Sequence, residues 1–358
     1  MKWLALVAVV ALGPAGALTS APAGGRTAAP SAEEPTSVIT VQLRAKAMVY
    51  SAATGLIYVS TPDTGRGGKV VTLDPCTGTF GPELMAGGEP DRLAMARDGS
   101  VIHVRTTATS SLRSFDLAGV VPPYSTAFTE APPGSMSVQA GNGHVVAVSH
   151  AAGRVSIVDH GRILPVSTTA LDGNIDRIVF GGTPDHLYGL AGEDDVKVMR
   201  TDKVGVRVIA TRTDAVNRTL RTLHARGDIL YLSEGQVYDP EDDQVLGQLP
   251  GLQSVSVAAD PRVEVAYGMW AGALHVYDTR SFTKVGALRL PGIANYPKAM
   301  TLWGDHGVAV ASESAVIILQ HPLVGSGAPV PGVPTASPSG GRGCNHQLLL
   351  PLTLGRMR

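Results

Sequence analysis

Three cationic residues, Arg92, Arg177 and Lys298, are the strongest candidates for ligand binding in this sequence. Each begins a short apolar segment, and alignment of the segments that follow puts all three at one equivalent position. Cations that converge on one place can bind an anion or a carboxylate, and Arg offers bidentate geometry. The alternative is a set of local ion pairs on a solvated surface. An Asp precedes two of the three cations, at Asp91 and Asp176, and exposed pairs of this kind contribute little.

The sequence contains none of the local patterns that usually mark a catalytic or metal site. None of the ten histidines is spaced with a Glu for zinc, and HExxH does not occur. His103 and His275 lie in apolar segments, where a buried, hydrogen-bonded imidazole is expected. The acidic runs 193–195 and 241–243 do not match the calcium-loop pattern and are interpreted as hairpin tips. With no nucleophile elbow and no phosphate loop, we predict no catalytic residues, no metal and no cofactor.

The elements that would position the three cations come from a repeat of about forty residues. An apolar residue followed by Asp ends a strand-like segment five times, at intervals of 42, 43, 80 (two units) and 39 residues. These residues are Asp74, Asp116, Asp159, Asp239 and Asp278. Short apolar segments at this period, with 42 Gly and 25 Pro for turns, are typical of propeller blades. No segment keeps helical spacing for three turns, so the fold class is predicted to be all-β.

The repeat predicts seven units, each with an inner strand that lines a central channel. The inner strands are predicted at 45–51, 92–97, 135–140, 176–181, 218–224, 253–259 and 298–303. The second strands are nearly continuous apolar runs, as expected for strands buried between stacked blades. Because inner strands begin at one mouth of the channel, the three cations of blades two, four and seven would ring that mouth, with Arg44 and Arg221 near the same level.

The seventh unit ends near Leu323 without an outer strand of its own. An unassigned segment, 37–43, alternates apolar and polar residues before the first inner strand. We therefore predict a seven-bladed β-propeller closed by the N-terminal strand 37–43, which joins the last blade. Closure of this kind leaves only short, protected sheet edges.

The two ends of the chain differ in composition from the repeats. Lys2 precedes the apolar segment 3–12, which is too short to span a bilayer, and small-x-small patterns predict signal cleavage after Ala17 or Ala23. An uncleaved anchor is the alternative. The predicted organisation is a signal peptide at 1–23, a disordered spacer at 24–36, the propeller at 37–323, a Gly/Pro/Ser linker at 325–343 and an apolar-basic tail at 344–358.

Charge and cysteine content narrow the possible partners. The net charge is −1, only 16% of residues are charged, and no basic run reaches five, which argues against nucleic acid as a partner. After signal removal we expect no stable transmembrane span, and we expect a monomer. Cys76 and Cys344 form a disulfide only if the tail folds back onto the propeller; free or intermolecular thiols are the alternative, and both remain open.

Residues 48–74, MVYSAATGLIYVSTPDTGRGGKVVTLD, resemble the blade pattern of bacterial secreted YVTN-type β-propeller repeats. The segment 302–307, LWGDHG, is similar to the turn of the terminal blade in the same proteins. The resemblance implies a propeller exported by a bacterium and carries over no catalytic residues. The C-terminal tail also looks like the apolar-basic tails of exported proteins of filamentous bacteria, and a strand docked on the domain is the alternative.

The expected function is therefore that of an exported, non-enzymatic propeller in the cell envelope or outside the cell. Its partner is expected to be a protein or a small anionic ligand. The alternative is a lactonase-like or other hydrolase-like propeller enzyme with its site at the mouth of the channel, because propellers serve many functions.

Overall fold

The computed structural model describes residues 37–62, 68–129, 132–151, 153–192, 194–216, 223–232, 234–252, 257–260, 262–290, 292–293, 297–325 and 344. The predicted signal peptide and spacer lie outside these residues, as do the linker from 326 onward and all of the tail except Cys344. In the part described, no helix is long and apolar enough to cross a membrane.

The described residues form seven antiparallel four-stranded sheets, arranged as the predicted seven-bladed β-propeller. Strand β1 spans Ser37–Gln42. Blade one comprises β2 (Ala47–Ser51), β3 (Leu56–Ser60), β4 (Lys69–Leu73) and β5 (Leu84–Met85). Blade two comprises β6 (Pro90–Met95), β7 (Val101–Thr106), β8 (Ser111–Asp116) and β9 (Tyr124–Ala127). Blade three comprises β10 (Pro133–Val138), β11 (Val145–His150), β12 (Val155–Asp159) and β13 (Arg162–Ile163), followed by a 3-10 turn at Ala170–Asp172.

The remaining blades follow the same order. Blade four comprises β14 (Ile175–Phe180), β15 (His186–Ala191), β16 (Asp195–Asp202) and β17 (Gly205–Arg212). Blade five comprises β18 (Leu223–Arg226), β19 (Ile229–Leu232), β20 (Gln236–Asp239) and β21 (Gln244–Gln248). Blade six comprises β22 (Val257–Asp260), β23 (Val265–Trp270), β24 (Ala273–Asp278) and β25 (Thr283–Arg289). Blade seven comprises β26 (Ala299–Trp303), β27 (Gly307–Ala311), β28 (Ala315–Gln320) and β1. The first strands of consecutive blades contact one another around the ring, from β2 through β26 and back to β2.

The ring is closed as predicted. Strand β1 pairs antiparallel with β28 along its whole length, from Ser37 opposite Gln320 to Gln42 opposite Ala315. Along β1 the exposed residues alternate with Val41, which is buried, and Ile39, which is partly buried; both pack into the core between blades seven and one. Closure therefore depends on the same alternation of side chains that predicted the strand.

The two cysteines, whose pairing the sequence left open, form a disulfide with a Cα–Cα distance of 5.3 Å. Cys76 lies in the turn after β4, and both cysteines pack against the core that contains Ile39 and Leu43. The bond joins blade one to a residue beyond blade seven. It is therefore a second, covalent link across the closure seam.

The Asp that ends most third strands has a local structural role. Its carboxylate accepts a hydrogen bond from the backbone N–H two residues later, at 2.7–2.9 Å in the four blades that contain Asp74, Asp116, Asp239 and Asp278. Such a bond fixes the turn that leads to the outer strand. In blade four Asp202 accepts from Val204 N–H at 2.8 Å, but the polar Thr201 precedes it, so this repeat lacks the apolar-Asp pair.

Several strand bounds differ from those predicted. The inner strands of blades two to four begin one or two residues earlier, and those of blades five and six are described only from Leu223 and Val257. The sequence also predicts an outer strand of blade three at 163–168, and this prediction is wrong: β13 is two residues long, and Val166 bridges Gly205 of the next blade in parallel. Pro165 explains this difference, because it has no N–H with which to continue the ladder.

Polar contacts join consecutive blades on one face of the ring, the face that carries the turns between the first and second strands of each blade. In each contact, a side chain of one blade bonds to a group in the neighbouring blade. The pairs are Ser51–Gly99, His103–Gly143, Gln139–Pro184, Asp228–Gly182, Arg226–Thr279, Arg262–Gly304 and Tyr50–Gly304. This face of the ring is consequently held by polar bonds as well as by the apolar seams between blades.

Candidate functional site

The opposite face, where the inner strands begin, holds a cavity of about 500 Å³ at the mouth of the channel. Its cationic lining residues are Lys46, Arg92 and Lys298. Its apolar lining includes Met48, Leu223, Val257 and Met300, so residues of blades one, two, five, six and seven meet there. Two of the three predicted cations therefore line one cavity.

Arg177, the third predicted cation, is placed in the same register as Arg92. Arg92 lies opposite Arg105, Arg177 lies opposite Leu190, and a one-residue irregularity precedes each of them in its strand. Lys298 differs, since it lies just before β26 and its backbone N–H donates to Ala311 O at 2.9 Å. Its true equivalent is Lys46 in blade one, whose N–H donates to the second strand in the same way, to Ser60 O at 3.0 Å.

The electrostatic environment of Arg92 is positive. The side chain of Arg92 is exposed at the mouth, but the surrounding protein partly desolvates the guanidinium and lowers its pKa below the ordinary value, and the charges of Arg177 and Arg105 lower it further. The carboxylates of Asp91 and Asp176 act in the opposite direction but do not restore the pKa. The charge of Arg177 therefore opposes that of Arg92, and an anion bound at Arg92 would offset this repulsion.

The neighbouring acidic residue does not pair with Arg92. Arg105 binds both oxygens of Asp91, with Nε to Oδ1 at 2.7 Å, and its Nη1 also donates to Pro133 O at 2.6 Å and Gly134 O at 2.7 Å. Among the described residues, no side chain forms an ion pair or hydrogen bond with the Arg92 guanidinium. The local-pair alternative therefore does not describe Arg92.

The two lysines at the mouth are paired, but at the surface. Lys298 Nζ lies 3.3 Å from Glu313, whose side chain is 85% exposed. Lys46 forms an ion pair with Glu89 of blade two. Exposed pairs contribute about 0–1 kcal/mol, so an incoming anion could displace either carboxylate at little cost.

The structure contains a second polar cluster that the sequence did not indicate. It lies between blades four and five, on the face of the ring that carries the turns between first and second strands. The hydroxyl of Tyr188 lies 3.0 Å from Asp228 and 2.7 Å from Glu241, and Arg200 donates to Glu241 at 2.7 Å. His186 Nδ1 lies 3.0 Å from Asp228. Burial would raise the pKa of Glu241, but the hydrogen bonds from Arg200 and Tyr188 hold it below its ordinary value. Glu241 is therefore part of an interface between blades rather than a solvated hairpin tip.

The histidines in apolar segments are where the sequence predicted them. His103 is fully buried and hydrogen-bonded at both ring nitrogens, and burial lowers its pKa to about 4. His275 is partly buried and bonds to Trp270 O at 3.2 Å. Within the residues that the structure describes, no group of three or more His, Cys, Asp or Glu side chains is arranged to hold a metal ion.

The molecule is thus a seven-bladed propeller with a cationic cavity at one mouth of its channel. Comparison with known proteins adds neither a family nor a relative. No family model matches the chain, and no curated protein matches it.

Proposed function

We propose that this protein is a non-enzymatic binding propeller that takes an anionic ligand at the mouth of its channel. The observation that carries the proposal is Arg92, a guanidinium that lines the mouth cavity, is influenced by the charge of Arg177, and has as its sequence neighbour Asp91, whose carboxylate is bound by Arg105. A guanidinium without an acidic partner among the described residues favours a ligand that supplies negative charge.

The rest of the cavity indicates the chemistry of that ligand. The lining is mainly polar, and Met48, Leu223, Val257 and Met300 supply a smaller apolar part beside the cations. Ligand sites of this kind combine apolar lining with a few convergent polar groups. The expected ligand is therefore an organic anion, with a carboxylate or phosphate directed at Arg92 and an apolar portion against these apolar residues.

We further propose that the protein is exported by a bacterium and acts in the cell envelope or outside the cell. The apolar segment 3–12 with its small-x-small cleavage patterns supports this, as does the resemblance to secreted YVTN-type repeats. The Cys76–Cys344 disulfide also supports it, because disulfides persist in oxidising compartments.

Calorimetric titration with octanoate and with octyl phosphate tests the ligand class, with octanol as the uncharged control. The wild type is expected to bind both anions but not octanol. Arg92→Gln should weaken anion binding by about ten- to a hundredfold, because a hydrogen bond to a charged group contributes about 1.5–3 kcal/mol. Arg97→Gln is the matched control, since Arg97 is an exposed Arg just beyond the other end of the same inner strand.

Three results would overturn the proposal. The first is equal affinity of wild type and Arg92→Gln, and the second is no saturable binding of either anion by the wild type. The third is turnover of a lactone or ester that is lost in Arg92→Gln, which would support the hydrolase-like alternative instead.

A further inference from the structure

A second cavity, of about 430 Å³, adjoins the mouth of the channel. Arg44, Lys46, Pro62, Lys298 and Glu313 are among its lining residues. Lys46 and Lys298 line both cavities, so this pair of lysines forms the boundary between them. We call the two cavities together the groove. We call the second one the seam cavity.

The seam cavity lies where the ring closes. Arg44 and Lys46 belong to the short connection between the closure strand β1 and the first inner strand β2. Lys298 and Glu313 belong to blade seven, and Pro62 follows the second strand of blade one. A ligand in this cavity would therefore touch both blades of the closure seam and the connection that joins them.

Cationic residues outnumber acidic residues in the lining of the groove. Its cationic lining residues are Arg44, Lys46, Arg92 and Lys298; its lining carboxylates are Asp91 and Glu313, and Glu89 beside it forms an ion pair with Lys46. Asp91 is already bound by Arg105, and Glu313 is largely exposed. Each cavity thus has positive charge available to a ligand, and a single anionic group can occupy only one of them.

We propose that the seam cavity is a second anionic subsite for the same ligand, which carries at least two anionic groups, and that its occupation stabilises closure of the ring. This inference rests on the proposed function. One anionic group lies at Arg92 in the mouth, and the second lies at Arg44 beyond the lysine pair. Because the open ring separates blade seven from the β1–β2 connection, a ligand that contacts both binds the closed ring more tightly and favours it.

Matched carboxylate probes test the subsite. Monocarboxylates of six, eight and ten carbons are compared with α,ω-dicarboxylates of the same lengths by calorimetry. At the length that spans both cavities, the dicarboxylate is expected to bind at least tenfold more tightly than its monocarboxylate. Arg44→Gln should reduce that advantage to less than twofold, whereas Arg97→Gln should leave it unchanged.

Hydrogen exchange on the wild type supplies a readout that needs no variant. The spanning dicarboxylate at saturation is expected to slow amide exchange in peptides that cover β1 and β28 by at least fivefold. Peptides that cover the second strands of blades three and four should show no such change. The monocarboxylate should give less protection of β1 and β28 at equal occupancy.

The outcomes separate this inference from the proposed function. If monocarboxylates bind through Arg92 but dicarboxylates have no advantage at any length, the seam subsite is refuted and the mouth site stands. An advantage that survives Arg44→Gln, or equal protection of β1 by both probes, also refutes the subsite. If neither monocarboxylates nor dicarboxylates bind the wild type, or if Arg92→Gln leaves their affinity unchanged, the proposed function itself fails.

Discussion

The buried imidazole of His103 makes the stability of the propeller depend on pH in a way that can be calculated. His103 is fully buried in blade two. Its Nε2 lies 2.7 Å from the carbonyl oxygen of Gly143 in blade three, and its Nδ1 lies 2.8 Å from the hydroxyl of Ser114. A carbonyl can only accept, so Nε2 carries the proton and donates it to Gly143, while Ser114 donates to Nδ1. The folded protein therefore holds this imidazole neutral.

The magnitude follows from the shift in pKa. Burial lowers the pKa of His103 from 6.5 to about 4. The unfolded chain therefore binds a proton between pH 6.5 and pH 4 that the folded chain does not bind. A shift of about 2.5 units corresponds to about 3 kcal/mol of unfolding free energy. This contribution is fully present above pH 6.5 and is lost as the pH falls to 4.

The perturbation that isolates this effect is His103→Gln, which removes the titrating group from the junction between blades two and three. Urea unfolding of wild type and variant is followed by tryptophan fluorescence at intervals from pH 7.5 to pH 4. The wild type is expected to lose about 3 kcal/mol more than the variant across this range. His224 and His275, whose pKa values burial also lowers, are present in both proteins and cancel in the difference.

Parallel stability profiles for the two proteins would refute the reasoning, whatever their offset at neutral pH. An NMR titration gives an independent check on the wild type alone. The ring protons of His103 should not shift between pH 7 and pH 5.5, and a midpoint near 6.5 would show that the folded protein does not keep the imidazole neutral.

Two further predictions concern closure of the ring. Val41→Asp places a carboxylate in the core between blades seven and one and is expected to lower the unfolding free energy by about 4 kcal/mol. Thr40→Asp, on the exposed face of β1, should change the unfolding free energy by less than about 1 kcal/mol. Equal losses of the two variants in urea unfolding would show that β1 does not close the ring. Cys76→Ser removes a crosslink between residues 268 apart and should lower the unfolding free energy by about 2–4 kcal/mol. Because either substitution breaks the same bond, Cys344→Ser and the double variant should have the same Tm as Cys76→Ser. Additive losses in the double variant would contradict this expectation.

The sequence predicted the architecture because its determinants are local. The Asp at the end of each third strand bonds to the backbone two residues later, so the repeat is visible without knowledge of distant contacts. The closure strand was predicted for the same reason, since the alternation along 37–42 already separates its buried face from its exposed one.

The details of the site were less accessible because they depend on register and on neighbouring strands. The irregularities at Asp91 and Asp176 shift the frame of their strands, so Lys298 appeared equivalent to Arg92 when its counterpart is Lys46. Asp91 also appeared to be a partner for the residue beside it. Asp91 lies at the irregularity between Pro90 and Arg92, and Arg105 of the next strand, which stands opposite Arg92, binds its carboxylate instead.

Contacts between blades were the least accessible from sequence. Tyr188 and Glu241, which share a hydrogen bond, are 53 residues apart, and neither segment carries a pattern that indicates the other. The disulfide joins residues 268 apart, and spacing alone could not decide between a bond and two free thiols.

The disulfide also determines how the molecule would respond to mechanical load. A force applied between residue 37 and residue 344 travels through β1 and blade one to Cys76 and crosses the sulfur bridge, so blades two to six lie outside its path. The oxidised chain can lengthen only through residues 37–76, about 140 Å when fully extended, against roughly 1,000 Å for the reduced chain. One covalent bond thus protects most of the propeller from tension applied to residues 37 and 344.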